Sequence, residues 1–179
     1  KDGELMYKVN PYRPGAGTSP LYLAGREIDE NEVNGIFEAL VNKVPVSSVI
    51  YSGLRGVGKT VLLNRFQRIA EEKSVFCKYI EVETRQDFIS QIVACSQAFL
   101  REVSSKEKIK NLLSKALDAL KTLVISFDVK NTTFTVSSQE RELYTSTSLT
   151  QSLTDVFVYM GQTALEADTP ICFFIDEIQ

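Results

Sequence analysis

The stretch "GLRGVGKT" carries the most specific chemical signal in the chain. Gly53 and Gly58 bracket four residues, and Lys59 and Thr60 follow at once. This is the spacing G-x-x-x-x-G-K-[ST], and each fixed position has a physical reason. Gly53, Gly56 and Gly58 lack Cβ atoms, so the backbone of Gly53, Leu54, Arg55, Gly56, Val57 and Gly58 can curl around an anion with its N–H groups inward. A helix starting near Gly58 adds the unpaired N–H groups and positive dipole end of its first turn, at Lys59, Thr60 and Val61. Lys59 supplies a point charge for β- and γ-phosphates, and Thr60 offers a hydroxyl to Mg²⁺. At a glycine usage of about 7% the four fixed positions coincide by chance in roughly one chain of this size in 200.

A second chemical feature lies more than 110 residues on. In "ICFFIDEIQ" an apolar run ends at Asp176, with Glu177 next. An acid at the carboxyl end of a buried strand sits where open α/β sheets bind ligands. Phosphoryl transfer needs a carboxylate on the metal side and a group that orients the attacking nucleophile. Asp176 suits the first task, through metal-bound water, and Glu177 the second.

The remaining composition removes other chemistries. The chain has no histidine, which excludes Ser-His-Asp and Cys-His nucleophile systems and any His-ligated metal. Cys77, Cys95 and Cys172 are odd in number and lack C-x-x-C spacing; they read as reduced thiols of a cytoplasmic protein. A net charge of −3 over 179 residues gives no general bias towards nucleic acid. No apolar run reaches the roughly 20 residues of a membrane-spanning helix, so a membrane partner is not expected.

The elements that must hold these residues can be read from periodicity. Pro11, Pro14 and Pro20 with Gly3, Gly15 and Gly17 make residues 1–28 an extended arm. Val33, Ile36, Phe37, Leu40 and Val41 recur at helical spacing, and Pro45 ends that helix. "VSSVIY" (46–51) reads as a buried strand feeding the glycine loop. Val61, Leu62, Phe66, Ile69 and Ala70 mark a helix, and 75–83 a second strand. Further helices are expected around Phe88–Leu100 and Ile109–Leu120. Over 122–136 the period changes to two on either side of Lys130-Asn131, which reads as a β-hairpin. A polar loop follows, then a helix from Leu149 to Ala164 and a last strand, 171–176. The order argues α/β with a mainly parallel sheet.

Taken together, the glycine loop and "FFIDEIQ" resemble the Walker A and Walker B motifs of P-loop ATPases with an added catalytic glutamate. "YLAGREIDENEVNGIFEAL" (22–40) is similar to the segment leading into AAA+ ATPases of the initiator-like and STAND (signal-transduction ATPase) groups. The resemblance implies a three-layer P-loop domain over 29–179, preceded by a nucleotide-proximal arm over 1–28. It implies ATP and Mg²⁺ as cofactors, Thr60 and Asp176 on the metal, Lys59 and Glu177 as catalytic groups, and Arg26 near the nucleotide, with Tyr12 or Tyr22 as an adenine-stacking option. It also implies strands four and five, an arginine finger and a helical lid, none of which is identifiable here. Strand four normally lies between strands one and three. The chain is therefore expected to be the N-terminal part of a larger protein, with the 122–136 hairpin as an insert.

The function expected is ATP hydrolysis coupled to a nucleotide-dependent switch. The partners expected are further domains of the same protein, a partner protein or a second copy, with nucleic acid contacted only through domains outside this chain. Two alternatives stand beside it: a non-hydrolysing module that distinguishes ATP from ADP, and a small-molecule kinase in which a substrate hydroxyl replaces water.

Overall fold

The computed structural model describes residues 25–127 and 148–177. Five α-helices and two strands alternate along them: α1 (Glu27–Val41), α2 (Lys59–Glu72), β1 (Phe76–Glu81), α3 (Arg85–Val103), a 3₁₀ turn (Glu107–Ile109), α4 (Lys110–Ser126), α5 (Leu149–Glu166) and β2 (Ile171–Asp176). β1 and β2 pair in parallel, with Phe76 opposite Ile171 and Glu81 opposite Asp176. Helices and strands mix as the expected α/β class requires, with a parallel sheet of two strands among the described residues.

Alternation along the strands divides the sheet into two faces. Cys77, Tyr79, Cys172 and Phe174 point towards α1 and α2, where Val33, Phe37, Leu62, Phe66, Ile69 and Ala70 form a small core. Phe37 meets Phe174 edge-on, with ring centroids 6.2 Å apart. Phe76, Ile171 and Phe173 point the other way, into a larger core built by α3, α4 and α5 around Phe99, Leu120, Leu123 and Met160. Each such fully buried side chain contributes about 1.5–3 kcal/mol of transfer free energy.

The helix starts follow from capping chemistry. Thr84 accepts a hydrogen bond from the Asp87 N–H at the start of α3, and Ser148 accepts one from the Gln151 N–H at the start of α5. α2 is different: its N-cap is Gly58 in the left-handed region (φ 85°), with no capping side chain and no acid in the first turn. Its first N–H groups are therefore not taken by a side-chain cap.

Two expectations are corrected. Residues 46–51 form no strand: Val46, Val49 and Ile50 are exposed, Ile50 by 90%, and only Tyr51 is half-buried, its ring against Phe66. A buried strand needs ladder partners on both sides. The order implied by the P-loop resemblance places strands four and five beside this segment, and no described residues occupy either place. A cleft of about 320 Å³ instead lies between Val44–Val46 on one side and α5 and Ile171 on the other.

Residues 122–127, expected as the first arm of a hairpin, are instead the end of a helix. These residues complete and cap α4, which runs to Ser126. Leu113, Ala116, Leu120, Leu123, Val124 and Phe127 continue one helical stripe against the larger core, and burying that stripe outweighs the local β-branched alternation. The second arm, the Lys130-Asn131 turn and the polar loop lie outside the described residues, as does the arm up to Ala24, with Tyr12 and Tyr22. α1 begins at Glu27.

Candidate functional site

Gly53 to Gly58 form the turn between the 44–52 segment and α2. Positive φ occurs at Gly56 (83°) and Gly58 (85°), and a Cβ built at either would meet nothing within 4 Å. Glycine is required there for backbone conformation, since the left-handed region costs other residues about 1–2 kcal/mol. Gly53 has no positive φ; a Cβ there would rest 3.4 Å from Val57 Cγ2. Leu54, Arg55 and Val57 are exposed along the loop.

Lys59 is held inside this turn. Its Nζ donates to the carbonyls of Gly53 and Leu54, each at 3.0 Å. The ammonium thus sits across the mouth of the loop, beside the first turn of α2. Two positive features converge there, a side-chain charge and a helix N-terminus.

Thr60 points the other way, towards β2. Its Oγ1 donates to Asp176 Oδ2 at 2.8 Å, joining residues 116 apart in the chain. Asp176 is 8% exposed, and its carboxylate accepts two further hydrogen bonds. Tyr79 on β1 donates its hydroxyl to Oδ2 at 2.5 Å, and the Glu177 N–H donates to Oδ1 at 2.9 Å. Burial pushes this carboxyl up. The bonds from Tyr79, Thr60 and the Glu177 N–H, with the nearby Lys59 charge, outweigh that and hold it below the usual carboxylate range. Asp176 is therefore a buried, ionised and closely oriented acid.

Glu177 is exposed and lies in the left-handed region, at φ 57°. Three other non-glycine residues share that conformation: Lys43, Ser74 and Asp168. Each of those follows a helix end, where such a residue commonly closes the last turn. Glu177 follows a strand. It is the one such residue among those described that no helix cap explains, and strained backbone of this kind concentrates at functional sites.

Arg26 also reaches the loop, through a protein contact. Its Nη2 donates to the Val57 carbonyl at 3.1 Å, and its Nη1 pairs with Asp29 at 3.0 Å. Arg65 pairs with Glu30 at 3.1 Å. The start of α1 is thereby tied to both the loop and α2. Val61 lies half-buried in the first turn of α2.

The structure thus brings the loop, Lys59, Thr60, Arg26, Asp176 and the backbone of Glu177 into one locality. Sequence reasoning missed Tyr79. Its signal is the inter-strand register, which sets Tyr79 opposite Phe174, on the face that Asp176 shares and one diagonal step from it. Among the described residues no cluster of three Asp, Glu, Cys or His side chains is placed to hold a metal. An Mg²⁺ carried by a nucleotide needs only one or two protein oxygens, with phosphate and water filling the rest, and the Thr60–Asp176 pair fits that demand. A hydroxyl that spends its one proton on a carboxylate keeps its lone pairs for a cation.

A glycine loop entering an uncapped helix, with a lysine across its mouth and a strand-end acid bonded to the helix's threonine, defines a P-loop nucleotide-binding domain. A family model described as the AAA ATPase domain matches residues 22–179, and the chain belongs to that family. No curated protein and no solved structure matches it significantly. Among the described residues no helix is long and apolar enough to cross a membrane.

Proposed function

We propose that this site binds Mg²⁺-ATP and hydrolyses it. The observation that carries the reading is the 2.8 Å bond from Thr60 to Asp176, which sets the metal-side acid against the phosphate-side helix. Backbone N–H groups of residues 53–60 and the first turn of α2 cradle the β- and γ-phosphates. Lys59 moves from the carbonyls of Gly53 and Leu54 onto phosphate oxygens and neutralises charge on the leaving group. A bound Mg²⁺ would supply charge neutralisation for the phosphates. Thr60 Oγ1 would hold it, and Asp176 Oδ1 has acceptor capacity left that would take a hydrogen bond from a water on it.

Glu177 serves as the group that orients the nucleophilic water and accepts its proton. Oxygen–phosphorus bond formation at the γ-phosphorus accompanies loss of the bond to the bridging oxygen, giving ADP and phosphate. The side chain follows directly on the acid that Thr60 positions, and its backbone conformation has no cap role.

The STAND-type switch is part of the same reading. The loop is coupled to α1 through Arg26 and Val57, and α1 to α2 through Glu30 and Arg65. A loop that rearranges around phosphate alters those ties, so nucleotide state reaches the outer helix and whatever packs on it. The test is Glu177→Gln in the full protein. ATP affinity should persist within about twofold while turnover falls by roughly 10²-fold or more. Unchanged turnover would remove Glu177 from the mechanism, and hydrolysis that requires an acceptor alcohol would favour a kinase.

A further inference from the structure

Tyr79 is the participant at this site that the P-loop pattern does not call for. It lies on β1 and faces the α2 side of the sheet, packed on the smaller core with Cys77 and Cys172. Packing asks only for an aromatic ring. The hydroxyl adds a 2.5 Å bond to Asp176 Oδ2, the same oxygen that accepts from Thr60 at 2.8 Å. With Glu177 N–H on Oδ1 at 2.9 Å, three donors from three directions surround one carboxylate. A carboxylate offers about four acceptor positions. Two on Oδ2 are taken by Tyr79 and Thr60, and one on Oδ1 by Glu177, so a single direction on Oδ1 is left for another donor.

We infer that Tyr79 is a positioning residue of the phosphate site, which fixes the Asp176 carboxylate so that its remaining acceptor direction and the Thr60 lone pairs face the same metal. Tyr79 does not touch the nucleotide or the cation. It acts through Asp176, as hydrogen-bond partners behind metal-binding groups commonly do. Without the hydroxyl, Thr60 and the Glu177 N–H remain, but a position on Oδ2 is freed and Asp176 can rotate about its side-chain bonds, so the open direction on Oδ1 is no longer fixed. The fixed placement of the Asp176 carboxylate is then lost while the phosphate cradle stays whole, since Lys59 donates to the Gly53 and Leu54 carbonyls and Tyr79 to Asp176.

This inference rests on the Mg²⁺-ATP reading above, and the test separates the two. Nucleotide binding is titrated with a fluorescent ATP analogue on the full protein and on Tyr79→Phe, once in EDTA and once across a Mg²⁺ series. The ring is retained, so thermal unfolding reports whether the core survives. The expected result is unchanged affinity in EDTA and a Mg²⁺ half-saturation raised about tenfold or more in Tyr79→Phe. In a Thr60→Ala background the Tyr79→Phe change should add little, because the two hydroxyls act on one oxygen. Equal Mg²⁺ half-saturation in wild type and Tyr79→Phe would overturn the inference and leave the ATP reading standing. A loss of affinity equal in EDTA and Mg²⁺ would make Tyr79 a packing residue only. Failure of the wild type to bind the analogue under either condition would overturn both.

Discussion

The two faces of the small sheet are built from the same strands but to different ends. On the α3–α5 side, Phe76, Ile171 and Phe173 enter a continuous apolar core. On the α1–α2 side, the apolar run of Cys77, Cys172 and Phe174 stops at Tyr79 and Asp176, where the packing gives way to a hydrogen-bonded network. One face supplies stability and the other places an acid. Mutations on the two faces should therefore separate cleanly in their readouts.

The largest effect expected is on the chemical side. Lys59→Ala removes the charge across the loop mouth and should lower ATP turnover by about 10²–10³-fold, with the unfolding midpoint nearly unchanged; steady-state phosphate release and a thermal melt check both parts. On the opposite face, Leu123→Ala should cost about 2–5 kcal/mol of stability through cavity formation, measured by denaturant unfolding. Nucleotide affinity per folded molecule should stay within about twofold. If Leu123→Ala weakened binding as Lys59→Ala does, the division between the faces would fail.

Smaller effects sharpen the boundary. Gly56→Ala forces a side chain into positive φ and should cost about 1–2 kcal/mol locally, seen as weaker phosphate binding more than as a lower melting point, because the loop is exposed. The smallest effect is in pH. The Asp176 carboxyl titrates lower in the folded protein than in the unfolded chain. Its stabilising contribution is complete above the unfolded range near about pH 4 and is lost as pH falls through the folded value. Denaturation midpoints taken from pH 6 to pH 3 should fall for the wild type and fall less steeply for Asp176→Asn.

The features legible in the sequence were those set by local rules. Glycine spacing, the N-terminus of α2 and the apolar stripes of α1, α3 and α5 depend on residues within a turn or two of one another. The 46–51 segment misled because its β-branched content reports a tendency to extend, while a ladder depends on partners far along the chain. Residues 122–127 misled because Leu123, Ile125 and Phe127 satisfy period two over a short window. Only the stripe running back to Leu113 shows that the helix continues. Asp176 was legible as a strand-end acid, but its bond to Thr60 and the approach of Tyr79 follow from register, which no local pattern contains. Arg26 was expected near the nucleotide from the resemblance alone; its bond to the Val57 carbonyl follows from tertiary placement that no local pattern contains.

The central claim is that Lys59, Thr60 and Asp176 serve one Mg²⁺-ATP site. Calorimetric titration of ATP into wild type and Asp176→Ala, with and without Mg²⁺, tests it most directly. Mg²⁺ should tighten ATP binding in the wild type, and Asp176→Ala should abolish this gain while keeping the Mg²⁺-free affinity. An undiminished Mg²⁺ gain in Asp176→Ala would contradict it.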